Sequence, residues 1–292
     1  MKYIDDFIKY LGVVKKDSSY TLVNYRNDLM ELYDFYTDIV NIDEVIAREY
    51  LEYMYSKNLS RNSISRKLSS IRSFYNYLVR EGIVSVNYFR DISNPKRAKA
   101  LPKYAKDVDL EIMFNSFDRS KAIDQRNLLI LEMLYATGVR VMELVNIKIS
   151  DIDRYNNSIK ILGKGSKERI VFFGAYASDA LDLYLKDGRG KLSCGKNSEY
   201  LFLNKNGGVL STRYVRKMID DVVRKCGIDY HISPHTIRHT FATDMLNAGC
   251  DLMSVKELLG HSSIDTTSIY THVSNEQIKK VYEFAHPRAK DN

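Results

Sequence analysis

Cysteine is scarce in this sequence: three residues in 292, Cys194, Cys226 and Cys250, odd in number and widely spaced. They form no Cys-x-x-Cys pair, so neither a disulfide framework nor a zinc site is on offer, and a reducing cytoplasm suits the chain. Also missing is any apolar run near the roughly 18–20 residues that a bilayer span needs, so no membrane partner is expected. The first residues, Met1-Lys2-Tyr3-Ile4-Asp5-Asp6, are acidic within one turn and lead into no signal-peptide stretch. The GxxxxGK[ST] spacing of a phosphate-cradling Walker loop is absent. So is a cluster of carboxylates, which a metal-dependent nuclease would need. Proline is rare, with four residues in all.

Hydrophobic residues make up 45% of the chain, enough to build cores and too many for a disordered polymer. The length exceeds the usual single domain, so two domains of unequal size are expected. The formal net charge is +7, with 17 basic against 13 acidic residues up to Tyr104 and 27 against 24 after it. Both parts are mildly basic, a balance that draws a chain to phosphate backbones and equally serves solubility. Two prolines fall in residues 93–106, Ser-Asn-Pro-Lys-Arg-Ala-Lys-Ala-Leu-Pro-Lys-Tyr-Ala-Lys, together with five basic side chains. Proline blocks helix continuation at both points and pushes Asn94 and Leu101 towards extended backbone. A basic linker over 95–104 is therefore expected, between an N-terminal domain of residues 1–94 and a larger one of residues 105–292. Lys96, Arg97 and Lys99 in that linker are candidates to lie along DNA.

Upstream of the linker the pattern is helical. Leu22, Leu29, Leu32, Phe35 and Ile39 fall on one stripe; Ile64, Leu68, Ile71, Tyr75 and Leu78 form a second, with Gly82 as its stop. Shorter helices are expected at 2–11 and 43–57. Arg61, Arg66, Lys67 and Arg72 lie between the apolar positions of the second stripe, a basic face suited to phosphate contacts and equally to plain solvation.

Downstream, helices are interrupted by one hairpin. Ser158-Ile159-Lys160-Ile161-Leu162 alternates, Gly163-Lys164-Gly165-Ser166 supplies the turn, and Lys167-Glu168-Arg169-Ile170-Val171-Phe172-Phe173 returns. Lys164 is thus expected at a hairpin tip. Further on, Ser233 is a good N-cap and Pro234 a good first helical residue, so a helix is expected over about 234–247, ending at Gly249. His235 lies in its first turn, where backbone N–H groups favour an anion, and Arg238 shares its face. A following helix runs from an Asp251 cap to Gly260, leaving His261 just past the stop and Tyr270 nine residues further on.

Taken singly these residues say little. Tyrosine occurs 22 times, and arginines such as Arg140 ordinarily serve solvated faces. His235 and His239 have the i, i+4 spacing of metal ligands, but no glutamate lies between them and no third ligand follows, so no metal is expected. His231, His272 and His286 read as structural. In order, however, stand Arg140 within Ala136-Thr137-Gly138-Val139-Arg140-Val141-Met142-Glu143-Leu144, Lys164, and His235-Thr236-Ile237-Arg238-His239-Thr240. Leu259-Gly260-His261-Ser262 and Ile269-Tyr270-Thr271-His272 follow. This set resembles the tyrosine recombinase (phage integrase) family, whose signature is Arg–Lys–His-x-x-Arg–His–Tyr. The resemblance spans essentially the whole chain, with no departure at a motif position. The tail Tyr270-Thr271-His272-Val273-Ser274, through His286-Pro287-Arg288-Ala289, is similar to bacterial Xer recombinases.

The resemblance implies a mainly α fold with a small β-hairpin or sheet (α+β). A helical, SAM-like core-binding domain and a catalytic domain would form a C-shaped clamp on DNA. It implies that Arg140 and Arg238 bind the non-bridging oxygens of the scissile phosphate, where negative charge develops. Tyr270 would be the nucleophile, giving a 3′-phosphotyrosine and a free 5′-hydroxyl. A phenol with a pKa near ~10 needs help at neutral pH: His235 is the candidate base, and Lys164 would protonate the departing oxygen. His261 would bond the phosphate or position Tyr270, and Glu143 would orient a basic neighbour. No cofactor is required, because the covalent link retains the phosphodiester energy.

At the C-terminus, Ser274-Asn275-Glu276-Gln277 reads as a capping box, and Ile278, Val281, Tyr282 and Ala285 line one helix face. That face would pack on its own domain or, as the resemblance implies, dock on a neighbouring protomer in a homo- or hetero-tetramer on double-stranded DNA. The expected function is site-specific recombination through a Holliday junction, resolving chromosome dimers at a dif-like site, with a DNA translocase as a further partner. An integrase or transposase of a mobile element shares the chemistry, although the arm-binding domain of larger integrases has no room here. An architectural DNA-binding protein is the alternative without catalysis.

Overall fold

The computed structural model describes residues 1–15, 19–95, 104–163, 168–260 and 275–289, which divide into two units, Met1–Ala100 and Leu101–Asn292. In the first unit, side-chain oxygens start two of the helices. After α1 (Lys2–Val13) and α2 (Ser19–Phe35), the Asp43 carboxylate accepts the Ile46 N–H at 2.9 Å to open α3 (Glu44–Ser56). The Ser60 hydroxyl accepts the Ser63 N–H at 3.1 Å to open α4 (Arg61–Arg80). Helix α4 stops where Gly82 adopts φ +70°, which lets Ile83 N–H reach the Leu78 carbonyl at 2.9 Å and Gly82 N–H reach Val79 at 3.1 Å. The stripe Ile64, Leu68, Ile71, Tyr75 and Leu78 is buried against Phe7, Leu29, Leu32 and Tyr50. Ile39 reaches this core from beyond the end of α2, not from the helix; its carbonyl accepts the Tyr75 hydroxyl at 2.7 Å.

The basic positions of α4 correct an expectation. Asp28 on α2 is only 1% exposed, and a carboxylate so placed must be compensated. Arg66 grips it with two bonds of 2.5 and 2.8 Å, and Ser70 adds a third at 2.8 Å. Lys67 is itself buried and bonds Glu31 at 2.5 Å and Asp28 at 3.4 Å. Arg72 donates to the carbonyls of Phe89, at 2.8 Å, and of Ile92. Lys67 and Arg72 are therefore internal ties and not a phosphate-facing row. Arg66 keeps a half-exposed side chain, and Arg61 is exposed. Lys96, Arg97 and Lys99 lie outside the described residues.

In the second unit, α5 (Asp107–Asn115) leads to α6 (Ala122–Thr137), in which every residue from Gln125 to Thr137 is buried. A helix covered all round has no apolar stripe for periodicity to reveal. It ends at Gly138, φ +59°, and α7 (Val141–Val145) follows. Strands β1 (Ile152–Asp153), β2 (Ser158–Leu162) and β3 (Glu168–Phe172) form an antiparallel sheet in that order. The register pairs Ile159 with Val171 and Ile161 with Arg169. The hairpin lies where alternation placed it; the two-residue β1 was too short to leave a pattern. Lys164 is outside the described residues. Helices α8 (Ala175–Leu183), α9 (Arg189–Ser193), α10 (Thr212–Lys225), α11 (Pro234–Asn247), α12 (Leu252–Leu259) and α13 (Asn275–Ala285) complete the unit.

Ile278, Tyr282 and Ala285 of α13 are buried with Phe172, Phe241, Met245, Val255 and Leu258, and Val281 packs beside them. In this chain the stripe packs within its own unit. The residues that follow lock it there. His286 is buried, its Nδ1 accepting the Arg288 N–H at 3.1 Å and its Nε2 lying 3.1 Å from the Tyr135 carbonyl. Arg288 bonds Glu132 at 2.7 Å and Glu111 at 2.5 Å. No helix among the described residues is long and apolar enough to cross a membrane.

Candidate active site

The last carbonyls of an α-helix have no partner within the helix and carry the negative end of its dipole. At the end of α12 those carbonyls collect guanidinium groups. The Leu258 carbonyl accepts Arg169 Nε at 3.0 Å. The Leu259 carbonyl accepts Arg238 Nη2 at 2.6 Å and Arg140 Nη1 at 3.4 Å, and the Gly260 carbonyl accepts Arg140 Nη2 at 3.2 Å. Helix α12 is set by its own caps: Asp251 accepts the N–H groups of Met253 and Ser254 at 2.9 and 3.0 Å, and Gly260 turns the chain at φ +63°.

Each arginine arrives from a different element. Arg140 is the N-cap residue of α7, where its own N–H donates to Glu143 Oε2 at 2.8 Å and its Nη1 donates to Glu143 Oε1 at 2.9 Å. Arg238 stands on α11, which opens with Ser233 and Thr236 exchanging side-chain and backbone bonds of 3.2 Å, and with Pro234 at its first position. The Arg238 side chain is buried, and its Nη1 donates to the Gly138 carbonyl at 2.5 Å. Burial, and then the neighbouring Arg140 charge, bring this guanidinium down to about 10, which still leaves it charged at neutral pH. Arg169 comes from β3 and forks onto Glu143 with bonds of 3.1 and 2.7 Å.

Glu143 is thus the carboxylate among three cations. Burial pushes its carboxyl up, but the hydrogen bonds and charges of Arg169 and Arg140 outweigh this and hold it below the ordinary value. Among the described residues, three guanidiniums face one carboxylate, which leaves positive charge uncompensated there, and the Arg140 side chain remains 41% exposed. The arrangement is suited to an anion with several oxygens.

The structure therefore brings together Arg140, Glu143 and Arg238. His235 occupies the first turn of α11, exposed, one turn before Arg238. His261, which follows Gly260 in the sequence, and Tyr270 lie outside the described residues, as does Lys164. Arg169 escaped the reading of the sequence, although a signal existed: pairing with Ile161, which is 2% exposed, puts its side chain on the buried face of the hairpin. An arginine on such a face needs a carboxylate partner. Among the described residues no three His, Cys, Asp or Glu side chains gather where they would hold a metal ion.

Comparison with known proteins gives the family. Residues 106–277 match the phage integrase family, and residues 4–82 match the phage integrase N-terminal SAM-like domain. A tyrosine recombinase XerC of Oceanobacillus iheyensis is 43% identical over 99% of this chain and 97% of its own length. One of Staphylococcus aureus is 42% identical over 99% and 98%. Among solved structures, a XerA recombinase is similar over 97% of both chains, at 28% identity and TM-score 0.51. A XerH site-specific recombinase bound to a palindromic difH substrate shares the fold, at 24% identity and TM-score 0.70 over 96% of this chain and 80% of that one. The chain thus belongs to the phage integrase family and is a tyrosine recombinase of the Xer type, an enzyme that cuts and rejoins DNA.

Proposed function

We propose that the chain performs site-specific recombination through Tyr270, resolving chromosome dimers at a dif-like site. One observation carries the chemical part: Arg140 and Arg238 donate to the same Leu259 carbonyl, at 3.4 and 2.6 Å, with a charge surplus around them. Two guanidiniums so joined are preorganised for a phosphate whose charge grows during displacement, and no reorganisation is needed as it does. The Tyr270 phenol oxygen bonds to phosphorus as the bond to the 5′ oxygen breaks. The phenolic proton passes to His235, and Lys164 supplies a proton to the departing oxygen. The strand is then held as a 3′-phosphotyrosine until a 5′-hydroxyl from another duplex reverses the step, passing through a Holliday junction. His261 bonds the phosphate or positions Tyr270, and Glu143 orients Arg140.

The 42–43% identity to XerC recombinases along nearly the whole chain supports the chromosomal role over that of a mobile-element integrase. Double-stranded DNA is the partner, engaged by four protomers, of this chain alone or with a paralogue, in the cytoplasm and in concert with a DNA translocase. Residues 1–94 serve as core-binding domain, 95–104 as linker and 105–292 as catalytic domain. Assembly through α13 would first have to lift that helix from its bed on Phe172 and Phe241.

A nicked suicide substrate carrying a dif-like site tests the reading. The wild-type chain is expected to form a covalent protein–DNA adduct, and Tyr270→Phe to bind the site without forming one. Site binding by the wild type with no adduct would leave an architectural protein in place of an enzyme.

A further inference from the structure

Arg169 belongs to none of the signature positions, yet it is the most fully engaged of the three cations. Its side chain is 12% exposed, and each of its three nitrogens is bonded: Nη1 and Nη2 to the two oxygens of Glu143, Nε to the Leu258 carbonyl. All three bonds point inward, to protein acceptors. The two Glu143 oxygens are likewise filled, each accepting one bond from Arg169 and one from Arg140. The carboxylate is therefore pinned in plane, and Arg140 is held by what Arg169 pins. The contact with α12 is equally close. A Cβ placed on Gly260 would meet Cδ, Nε and Cζ of Arg169 at 3.1 Å, so the side chain lies flat on bare backbone at the helix cap.

Arg169 therefore joins three elements: β3, which follows the Lys164 segment in the sequence; Glu143, and through it Arg140; and the end of α12, from which the chain runs on to His261. We propose that Arg169 is a positioning residue for strand transfer. By forking onto Glu143 and bonding Leu258, it sets the direction in which the Arg140 guanidinium meets the scissile phosphate. Lysine could not replace it. An ammonium is a point charge that would neutralise Glu143 but cannot span both carboxylate oxygens and the helix carbonyl.

The inference rests on the reading of Arg140 as a phosphate ligand, and the experiment separates the two. Full-length wild type, Arg169→Lys, Arg140→Ala and the double variant are compared for site affinity and for single-turnover adduct formation. The substrates are the nicked duplex and the same duplex with a neutral methylphosphonate at the scissile position. A neutral group demands less of a guanidinium, so a defect in aiming Arg140 shrinks on it, whereas a general packing defect does not. Arg169→Lys is expected to bind within about twofold of wild type while cleaving the phosphate substrate about 30-fold more slowly. On the methylphosphonate its deficit should fall to about threefold, and on phosphate the double variant should cleave no more slowly than Arg140→Ala.

Wild-type cleavage by Arg169→Lys, an equal deficit on both substrates, or full additivity with Arg140→Ala would overturn the proposal. Normal cleavage by Arg140→Ala would overturn the parent reading instead. Arg169→Gln, which carries no charge, is the second variant if Arg169→Lys loses its fold. If neither variant folds, Arg169 is a structural tie and the proposal fails.

Discussion

At the scale of single residues, the site is an electrostatic balance struck by backbone as much as by side chains. Among the described residues Arg238 bonds two carbonyl oxygens and no acid, so its charge is not spent on an ion pair there while its direction is fixed. Arg238→Lys keeps a charge but cannot bridge both carbonyls. We expect it to fold, to bind DNA and to form the covalent adduct about 100-fold more slowly; a deficit under threefold in single-turnover cleavage would contradict this. Glu143 makes the opposite case. Its side chain is 7% exposed between two arginines, and Glu143→Gln strands Arg169, whose side chain is only 12% exposed, at a cost of about 3 kcal/mol in urea unfolding. Because the carboxyl is held below its ordinary value, its contribution is present above the unfolded carboxylate pKa and is lost as pH falls through the folded one. The stability gap between wild type and Glu143→Gln should therefore close in acid. Arg140, Glu143 and Arg238 were legible as residue types in order. Arg169 was not, since its inward face emerges only once the register with Ile161 is known.

At the scale of elements, caps were the most readable feature and all-round burial the least. Ser233-Pro234, Asp251, Gly82 and Gly260 stand at the boundaries expected of them, because each is dictated by local chemistry. Helix α6 left no stripe because all its faces are covered; Lys67 misled because charge alone does not reveal a buried Asp28 across the domain, and Arg72 because it does not reveal the backbone carbonyls of Phe89 and Ile92. Two glycines separate backbone strain from crowding. Gly138→Ala combines φ +59° with a Cβ at 2.5 Å from Phe241 Cδ1 and 2.9 Å from Leu259 Cδ2, and should cost roughly 3 kcal/mol. Gly82→Ala has φ +70° and nothing within 4 Å, and should cost about 1 kcal/mol. Equal losses in denaturant unfolding would refute the distinction.

The segment after α13 carries a pH prediction. Burial lowers His286 from 6.5 to about 4, and the bond accepted from Arg288 N–H leaves the ring proton on Nε2, facing Tyr135. The unfolded chain takes up the second ring proton, on Nδ1, at a higher pH than the folded one, so the stability this group provides is present above pH 6.5 and is lost as pH falls towards 4. The loss amounts to roughly 3 kcal/mol. Glu132 runs the other way: burial outweighs the attraction of Arg288 and lifts it to about 7, so its contribution is present at low pH and lost as pH rises through that value. Both proteins keep Glu132, so the difference between wild type and His286→Asn isolates the histidine. That difference should shrink between pH 6.5 and 4 in thermal unfolding, and a constant difference would refute it.

At the scale of the whole molecule, each unit has its own core, one around Phe7, Leu68 and Phe74 and the other around α6 and α11. Two domains of unequal size were foreseeable from length and from the proline-rich basic stretch. Asp28→Ala removes the acceptor shared by Arg66, Lys67 and Ser70 and should lower the first unit alone by about 3 kcal/mol. Calorimetry should then show one transition moving while that of residues 101–292 stays in place; a concerted shift would mean that the two units melt as one.

The gathering of Arg140, Arg169 and Arg238 on consecutive carbonyls has a mechanical corollary. Those acceptors belong to the main chain, so exchanging Leu258 or Leu259 for another apolar residue leaves them intact, whereas sliding α12 by about 1 Å stretches bonds of 2.6–3.4 Å to or past their useful limit together. The three cations are thus geared to one shaft, and the anion pocket is assembled or dismantled as a unit, with little room for partial settings.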